Sequence, residues 1–272
     1  MPAAQAGDVR SVHQARVATR RLREALPVLR KSLNAAAIDR AQQRVRRMTQ
    51  ALGPVRELDV SLLHLDAFAD RGVATERAIG RVREAMIDKR LARRREMLSE
   101  ITPGKVERLR RVLSHVGSGP QVAGRPGAIR DAEHRVGRRA KRLASAIDDA
   151  GSLYVAERLH LVRIAAKKLR YAMEIERELK RSRITSRMRP LKSLQEVLGH
   201  MHDLHVLSEQ VRAVQAGFGG TDRRLAADLD GLLAAIEEDC RKEHAGYMRR
   251  RAAILKLCAN PTLGETTVEA VA

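Results

Sequence analysis

Aromatic residues are nearly absent: among 272 residues there is no Trp, and Phe and Tyr number two and three. Ala, Leu and Val must then build the core, which favours helices packed on helices over a sandwich of sheets. The same scarcity counts against recognition of single-stranded nucleic acid, where bases stack on aromatic side chains. Only two cysteines occur, Cys240 and Cys258, far apart and outside any CxxC spacing. Neither a disulfide framework nor a thiolate metal site is expected, and reduced thiols in a cytoplasmic protein are. No apolar run approaches membrane-spanning length and the first residues lack a signal-type apolar region, so neither insertion nor secretion is expected.

Catalytic signatures are missing too. There is no phosphate-cradling glycine loop followed by Lys-Ser/Thr and no nucleophile elbow. No carboxylate cluster suited to Mg²⁺ is present, and the acids at matched places in the chain are Glu57 and Asp203 alone. The expectation is a protein without catalytic residues, cofactor or metal, in which Glu57 and Asp203 orient arginines or cap helices.

What is abundant is positive charge. The formal net charge is +20 and the isoelectric point about 11.1, yet 44% of residues are hydrophobic, so the chain folds rather than remaining a disordered polycation. Such a surface attracts polyanions: nucleic acid, inorganic phosphate chains or an anionic membrane. A generally basic surface with no defined site is the plain alternative.

Helical periodicity dominates and no alternating strand is convincing. The pattern predicts helices over about 9–33, 36–52, 55–70, 75–101 and 105–115, then about 128–150, 153–181, 184–199, 201–216 and 222–257. Gly53-Pro54 and Gly199 are expected to stop one helix and start the next, making hairpins. The Gly/Pro-rich stretch 117–127 is the expected linker between a first helical bundle, 1–116, and a second, 128–258, with 259–272 as a flexible tail.

The two halves repeat. VHQARVATRRLR, beginning at Val12, aligns with LHLVRIAAKKLR, beginning at Leu159, at an offset of 147 residues. LGPVRELDV from Leu52 aligns with LGHMHDLHV from Leu198 at an offset of 146. Two matches at nearly one offset indicate internal duplication with a pseudo-twofold arrangement of helical bundles.

On a helical wheel the first stretch separates into two arcs. Val12, Ala15, Ala18, Thr19, Leu22, Ala25, Leu26 and Leu29 share an apolar arc of about 120° to 260°, with His13 at zero. His13, Arg16, Arg20 and Arg23 form a cationic ridge about 15 Å long, with Arg21 off to one side. The second stretch repeats the division, with Leu159, Ala165, Ala166, Leu169, Ala172 and Met173 inside and His160, Arg163, Lys167 and Arg170 outside; Lys168 matches Arg21. A row of like charges repels itself, and arginine offers forked donors matched to phosphate oxygens, so a ridge of this length made twice suits an extended anion. A merely solvated face is the ordinary alternative. Further basic density lies at Lys89, Arg90, Arg93, Arg94 and Arg95 and at Arg241, Lys242, Arg249, Arg250 and Arg251.

His13 and His160 admit several roles: base, phosphoacceptor, metal ligand or hydrogen-bond donor to an anion. Neighbouring cations oppose a metal dication and favour the donor role. His202 and His205 with Asp203 are the best metal set by composition, but their counterparts in the first half are not, and a helix start with Asp203 in the first turn is the preferred explanation.

With these residues in view the chain resembles the CHAD family, the conserved histidine α-helical domain. The resemblance rests on the two ridge stretches, extended in the second half to LHLVRIAAKKLRYAMEI, and on LGPVRELDV and LKSLQEVLGHMHDLHV. It spans about residues 8–255. It implies an all-α fold of two pseudo-twofold-related, four-helix-bundle-like repeats flanking a basic groove or pore. It also implies binding of inorganic polyphosphate, often at polyphosphate granules; with no catalytic constellation in the sequence, the expectation is binding without catalysis by a cytoplasmic protein. Matched by position, the polyphosphate-binding residues would be His13, Arg16, Arg20, Arg21 and Arg23 on one side and His160, Arg163, Lys167, Lys168 and Arg170 on the other. Arg46 and Lys192 match each other ahead of the two LG segments, and Arg56, Arg90 and Arg94 add to the same basic surface. Nucleic acid would be a weaker, non-specific partner. An accessory or enzymatic part in phosphate-chain metabolism through the two histidines is the remaining competitor. Members usually carry a lead-in helix before the first motif, where this sequence has Met1 to Ser11 only, and 128–150 fills that role in the second half.

Overall fold

The computed structural model describes residues 8–30, 34–117, 126–182, 186–217 and 222–261. These form eight α-helices: α1 (Val9–Leu29), α2 (Ala35–Asp70), α3 (Glu76–Glu100), α4 (Pro103–Gly117), α5 (Pro126–Ala150), α6 (Ala156–Leu179), α7 (Arg189–Gly217) and α8 (Arg223–Ala259). A single 3₁₀ turn, Ser186–Met188, precedes α7. Among the described residues there is no strand, so the fold is all-α as the composition requires. Most of the expected linker and the C-terminal tail from residue 262 lie outside the described residues.

Two expected helix breaks do not occur. α2 runs unbroken through Gly53-Pro54 and α7 through Gly199. Proline lacks only its own N–H, and the apolar residues on both sides of it, Leu52, Val55 and Leu58, are all buried in one stripe. Packing of that stripe outweighs the local tendency to stop. The hairpins expected at these points are therefore single long helices.

Real helix ends carry local signals. Asp8, Asn34 and Thr75 accept from the backbone N–H of Ser11, Ala37 and Ala78 at 2.8, 3.0 and 3.3 Å. Asp222 caps α8 through the Leu225 N–H at 3.0 Å. Gly72 follows α2 with φ 64°, a left-handed conformation that glycine adopts without strain.

The chain divides into two compact units that cross the repeat boundary: residues 1–120 with 197–246, and residues 121–196 with 247–272. The first unit holds two apolar clusters. Val12 and Leu26 of α1 meet Ile38, Val45 and Leu52 of α2, Met97 of α3 and Leu109 of α4. Leu58, Leu65 and Phe68, further along α2, meet Ile79, Val82 and Met86 of α3, Leu204 and Leu207 of α7 and Leu229 and Ile236 of α8. α2 and α3 thus serve both clusters, which is why α2 must stay continuous.

The second unit is built on the hairpin of α5 and α6. α5 buries Ala128, Ala132, Val136, Ala140, Leu143, Ile147 and Ala150, spaced by three and four residues along one face. α6 buries Leu159, Val162, Ala166, Leu169 and Met173. Alanines on the facing stripe let the helices approach closely. One charged side chain is wholly enclosed here: Glu176, paired with Lys180 Nζ at 3.0 Å, which also reaches Glu133 at 2.7 Å.

Candidate functional site

α1 presents its first-half ridge as the wheel predicts, with adjustments. Val12, Thr19 and Leu26 are buried and Ala15 and Leu22 are partly so, while Ala18 is exposed rather than in the core. The apolar arc is narrower than expected: of its described residues Val12, Thr19 and Leu26 are the buried ones. His13, Arg21 and Arg23 are exposed, and Arg20 is half-buried.

Arg16 is the pivot of this surface. Its side chain is 15% exposed and its Nη2 lies 3.6 Å from Glu57 Oε1. Its Nη1 rests on Gly53 of α2, so close that a Cβ at that position would lie 2.8 Å from it. Gly53 is therefore a landing for a guanidinium, not a helix stop, and Glu57 one turn on orients it. The sequence indicated the arginine-orienting role of Glu57 but not that of Gly53.

His13 shares the charge of this cluster. Although the residue is largely exposed, its pKa is held below the ordinary value, first by desolvation of part of the ring, then by the Arg56 and Arg16 cations. α1 and α2 thus bring His13, Arg16 and Arg56 within one another's field, with Glu57 paired to Arg16. Arg46 sits exposed on α2.

Farther along α2, Asp59 is enclosed, its side chain 1% exposed, and accepts from Arg90 Nε at 2.6 Å. Arg90 is thus tied to a carboxylate within the fold, and Arg94, one turn on in α3, is half-buried. Asp59 was not singled out in the sequence; an acid spaced with Leu52, Val55 and Leu58 was the available sign.

In the second unit α6 carries His160, Arg163, Lys167, Lys168 and Arg170, all half-buried rather than solvated. Arg170 Nε donates to Gln195 Oε1 at 2.7 Å, and its guanidinium also meets Glu174 and lies 4.7 Å from the Tyr171 ring centre. Gln195 is fixed in turn by donating to the Ala166 carbonyl at 2.9 Å. Arg170 therefore joins α6 to α7, whereas its counterpart Arg23 is exposed. Lys192 is exposed on α7.

The histidines near Gly199 are placed differently from a metal set. His200 Nδ1 lies 2.9 Å from Glu243 Oε1, and its ring stacks on His64 with centroids 5.1 Å apart. His64 is held below its ordinary pKa by burial first and by His200 second, against the opposing pull of Asp203. His205 Nε2 lies 3.6 Å from Glu209. Among the described residues no group of three or more His, Cys, Asp or Glu gathers as a metal site would. None of the helices among them is long and apolar enough to cross a membrane.

An all-helical protein whose first motif seats Arg16 on Gly53 of the next helix, and whose second motif carries a matching row of cations, is defined as a class by these features. The chain belongs to the CHAD family: the family model, described as the CHAD domain, matches residues 2–212. Two curated relatives come from Mycobacterium tuberculosis, "Uncharacterized protein MT2285" of strain CDC 1551 / Oshkosh and "Uncharacterized protein Rv2226" of strain H37Rv. Each is 29% identical over 255 residues, covering 88% of this chain and 48% of the relative. The chain thus spans about half the length of the curated relatives it matches. No solved structure matches it significantly.

Proposed function

We propose that this protein binds inorganic polyphosphate through its cationic ridges, without catalysis. The observation that carries the reading is Arg16 seated on Gly53 beside Glu57, with the Arg16 and Arg56 cations acting together on His13. Two cations and a protonatable ring that feel one another's charge, with one acid paired to Arg16, leave an excess of positive charge that a bound anion would neutralise. Glu57 and Gly53 hold the Arg16 fork in place beforehand, which lowers the ordering cost of binding. Arg20, Arg21, Arg23 and Arg46 extend the row for a chain of phosphates, and His160, Arg163, Lys167, Lys168 and Lys192 supply the second row. Arg90 and Arg170, each tied to an acid, support the surface more than they touch the ligand. Binding is driven largely by release of counterions, so affinity falls steeply with salt. Family membership supports the choice of polyphosphate over other polyanions, and association with cytoplasmic polyphosphate granules is part of the same proposal.

The test is competition between long-chain polyphosphate and single-stranded and duplex DNA at several salt concentrations. Polyphosphate should win at equal charge; parity would reduce the protein to a generic polycation. The variant Arg16→Ala/Arg20→Ala/Arg163→Ala/Lys167→Ala should lose polyphosphate affinity and flatten the salt dependence. Unchanged affinity removes the ridges from the site. Turnover of polyphosphate with Mg²⁺ that disappears in His13→Ala or His160→Ala would replace the binding reading with an enzymatic one.

A further inference from the structure

A second cationic site lies in the first unit, away from the ridge. A cavity of about 240 Å³ is lined by Arg44, Arg47 and Met48 of α2, Glu100 at the end of α3, and Lys105 and Arg108 of α4. Four cations face one carboxylate. The larger cavity between α3 and α7, about 380 Å³, is instead balanced, with Arg81 and Lys89 against Glu84 and Asp88. Only the smaller one has a strong preference for one sign of charge.

Its groups are held in place from within the unit. Arg44 Nη1 donates to the Arg108 carbonyl at 3.4 Å, and Arg108 Nε to the Gly104 carbonyl at 3.2 Å. Lys105 Nζ reaches Glu100 Oε2 at 3.3 Å and the Ser99 carbonyl at 3.4 Å. Arg47 forms no hydrogen bond or ion pair with the described residues. Both anchored arginines retain donors beyond those bonds, since a guanidinium carries five. α4 begins beside them, at Pro103, with no acid in its first turn, so the positive end of its dipole adds to the field.

The two sites are on opposite flanks of α2. At about 100° per residue, with Arg44 at zero, Arg47 and Met48 fall at about 300° and 40°. Gly53, Arg46 and Glu57 fall at about 180° to 220°. The ridge and the cavity therefore cannot be one groove. The cavity holds about eight water-sized volumes, which is below the usual size for a drug-like ligand. It suits a compact anion whose charge is packed into a few bonds.

We infer that this cavity is a separate binding site for two or three linked phosphate groups, from a nucleoside triphosphate tail or from a short inorganic phosphate chain. Arg44, Arg47 and Arg108 supply forked donors to the phosphate oxygens, and Lys105 exchanges Glu100 for the ligand.

Isothermal titration of the full chain with tripolyphosphate and with ATP tests this. The expected result is one saturable site that weakens about tenfold or more in Arg44→Gln/Arg108→Gln. Arg47→Gln/Lys105→Gln should weaken it likewise, and decides the matter if the first pair fails to fold. Arg110→Gln/Arg111→Gln, an equal loss of charge on α4 outside the cavity, should bind within about twofold of the native chain. ATP binding equal to tripolyphosphate assigns the nucleotide tail; tripolyphosphate alone assigns the inorganic chain. Native affinity in both cavity variants overturns the site, as does an equal loss in the Arg110/Arg111 control. Long-chain binding in the ridge variants bears only on the function proposed above, so either proposal can fail without the other.

Discussion

Gly53 shows how one residue can carry two meanings. Before Pro54 it has the signature of a helix end, and its real constraint, the guanidinium of Arg16 lying on it, comes from a helix about forty residues earlier. Gly53→Ala should leave the protein as stable or more stable, because alanine is preferred in a helix interior by about 0.5–1 kcal/mol. The close atom is the end of a flexible side chain, so Arg16 can swing away, and polyphosphate affinity should fall. A thermal melt and a binding isotherm on the same sample check this; a variant that binds normally would deny Arg16 its role. His13 offers a second test at this scale. Its pKa is depressed by burial and by Arg56 and Arg16, so the free site holds it neutral near pH 7, while a polyanion favours the imidazolium. Binding should therefore take up protons and tighten as pH falls through the range below about 6.5. Titration in buffers of different ionisation enthalpy measures the uptake, which should fall in His13→Ala.

Among the elements, α2 was the least predictable. Its apolar spacing on either side of Pro54 is in register for one helix, whereas the Gly-Pro pair taken locally argues for a break. Since the missing amide hydrogen bond is a cost borne inside a continuous helix, Pro54→Ala should stabilise the protein by about 1 kcal/mol or more, up to ~3. Urea unfolding reads this directly; a loss of stability would mean that packing relies on the bend proline introduces. α6 depends on a buried charge instead. Burial pulls Lys180 down, yet Glu133 and Glu176 outweigh it and leave its pKa raised. Lys180→Met strands Glu176, whose side chain is wholly enclosed. The expected loss is about 3 kcal/mol, part of it recovered by adding Glu176→Gln. Equal stability of the single variant would show that the Lys180–Glu176 pair contributes nothing to the fold.

For the whole molecule, histidine burial sets the response to acid. His13, His64 and His244 all have pKa values below ordinary, each chiefly through burial. A depressed histidine binds protons more readily when unfolded, so its contribution is complete above about pH 6.5 and is lost as pH falls through the folded value. Denaturant midpoints should drop between pH 7.5 and 5 at constant ionic strength, and His64→Gln should reduce the drop. The carboxylates with lowered values, Asp222 and Asp239 among them, act in a separate window at lower pH. A midpoint unchanged across the histidine range would show that these rings stay hydrated in solution.

By itself the sequence determined the fold class, because a chain nearly free of aromatics and rich in Ala, Leu and Val can build a core only from helices. It also determined the ridges, since helical spacing alone separates His13, Arg16, Arg20 and Arg23 from Val12, Thr19 and Leu26. Tertiary structure decided which of those charges meets an acid. Glu57 reaches Arg16, the enclosed Asp59 accepts from Arg90, and Gln195 and Glu174 hold Arg170; all but the Glu174 contact are pairings between helices that no spacing along one helix encodes. It likewise decided that α2 and α7 run on through their glycines, because burial on both sides of a weak point exceeds the cost of crossing it.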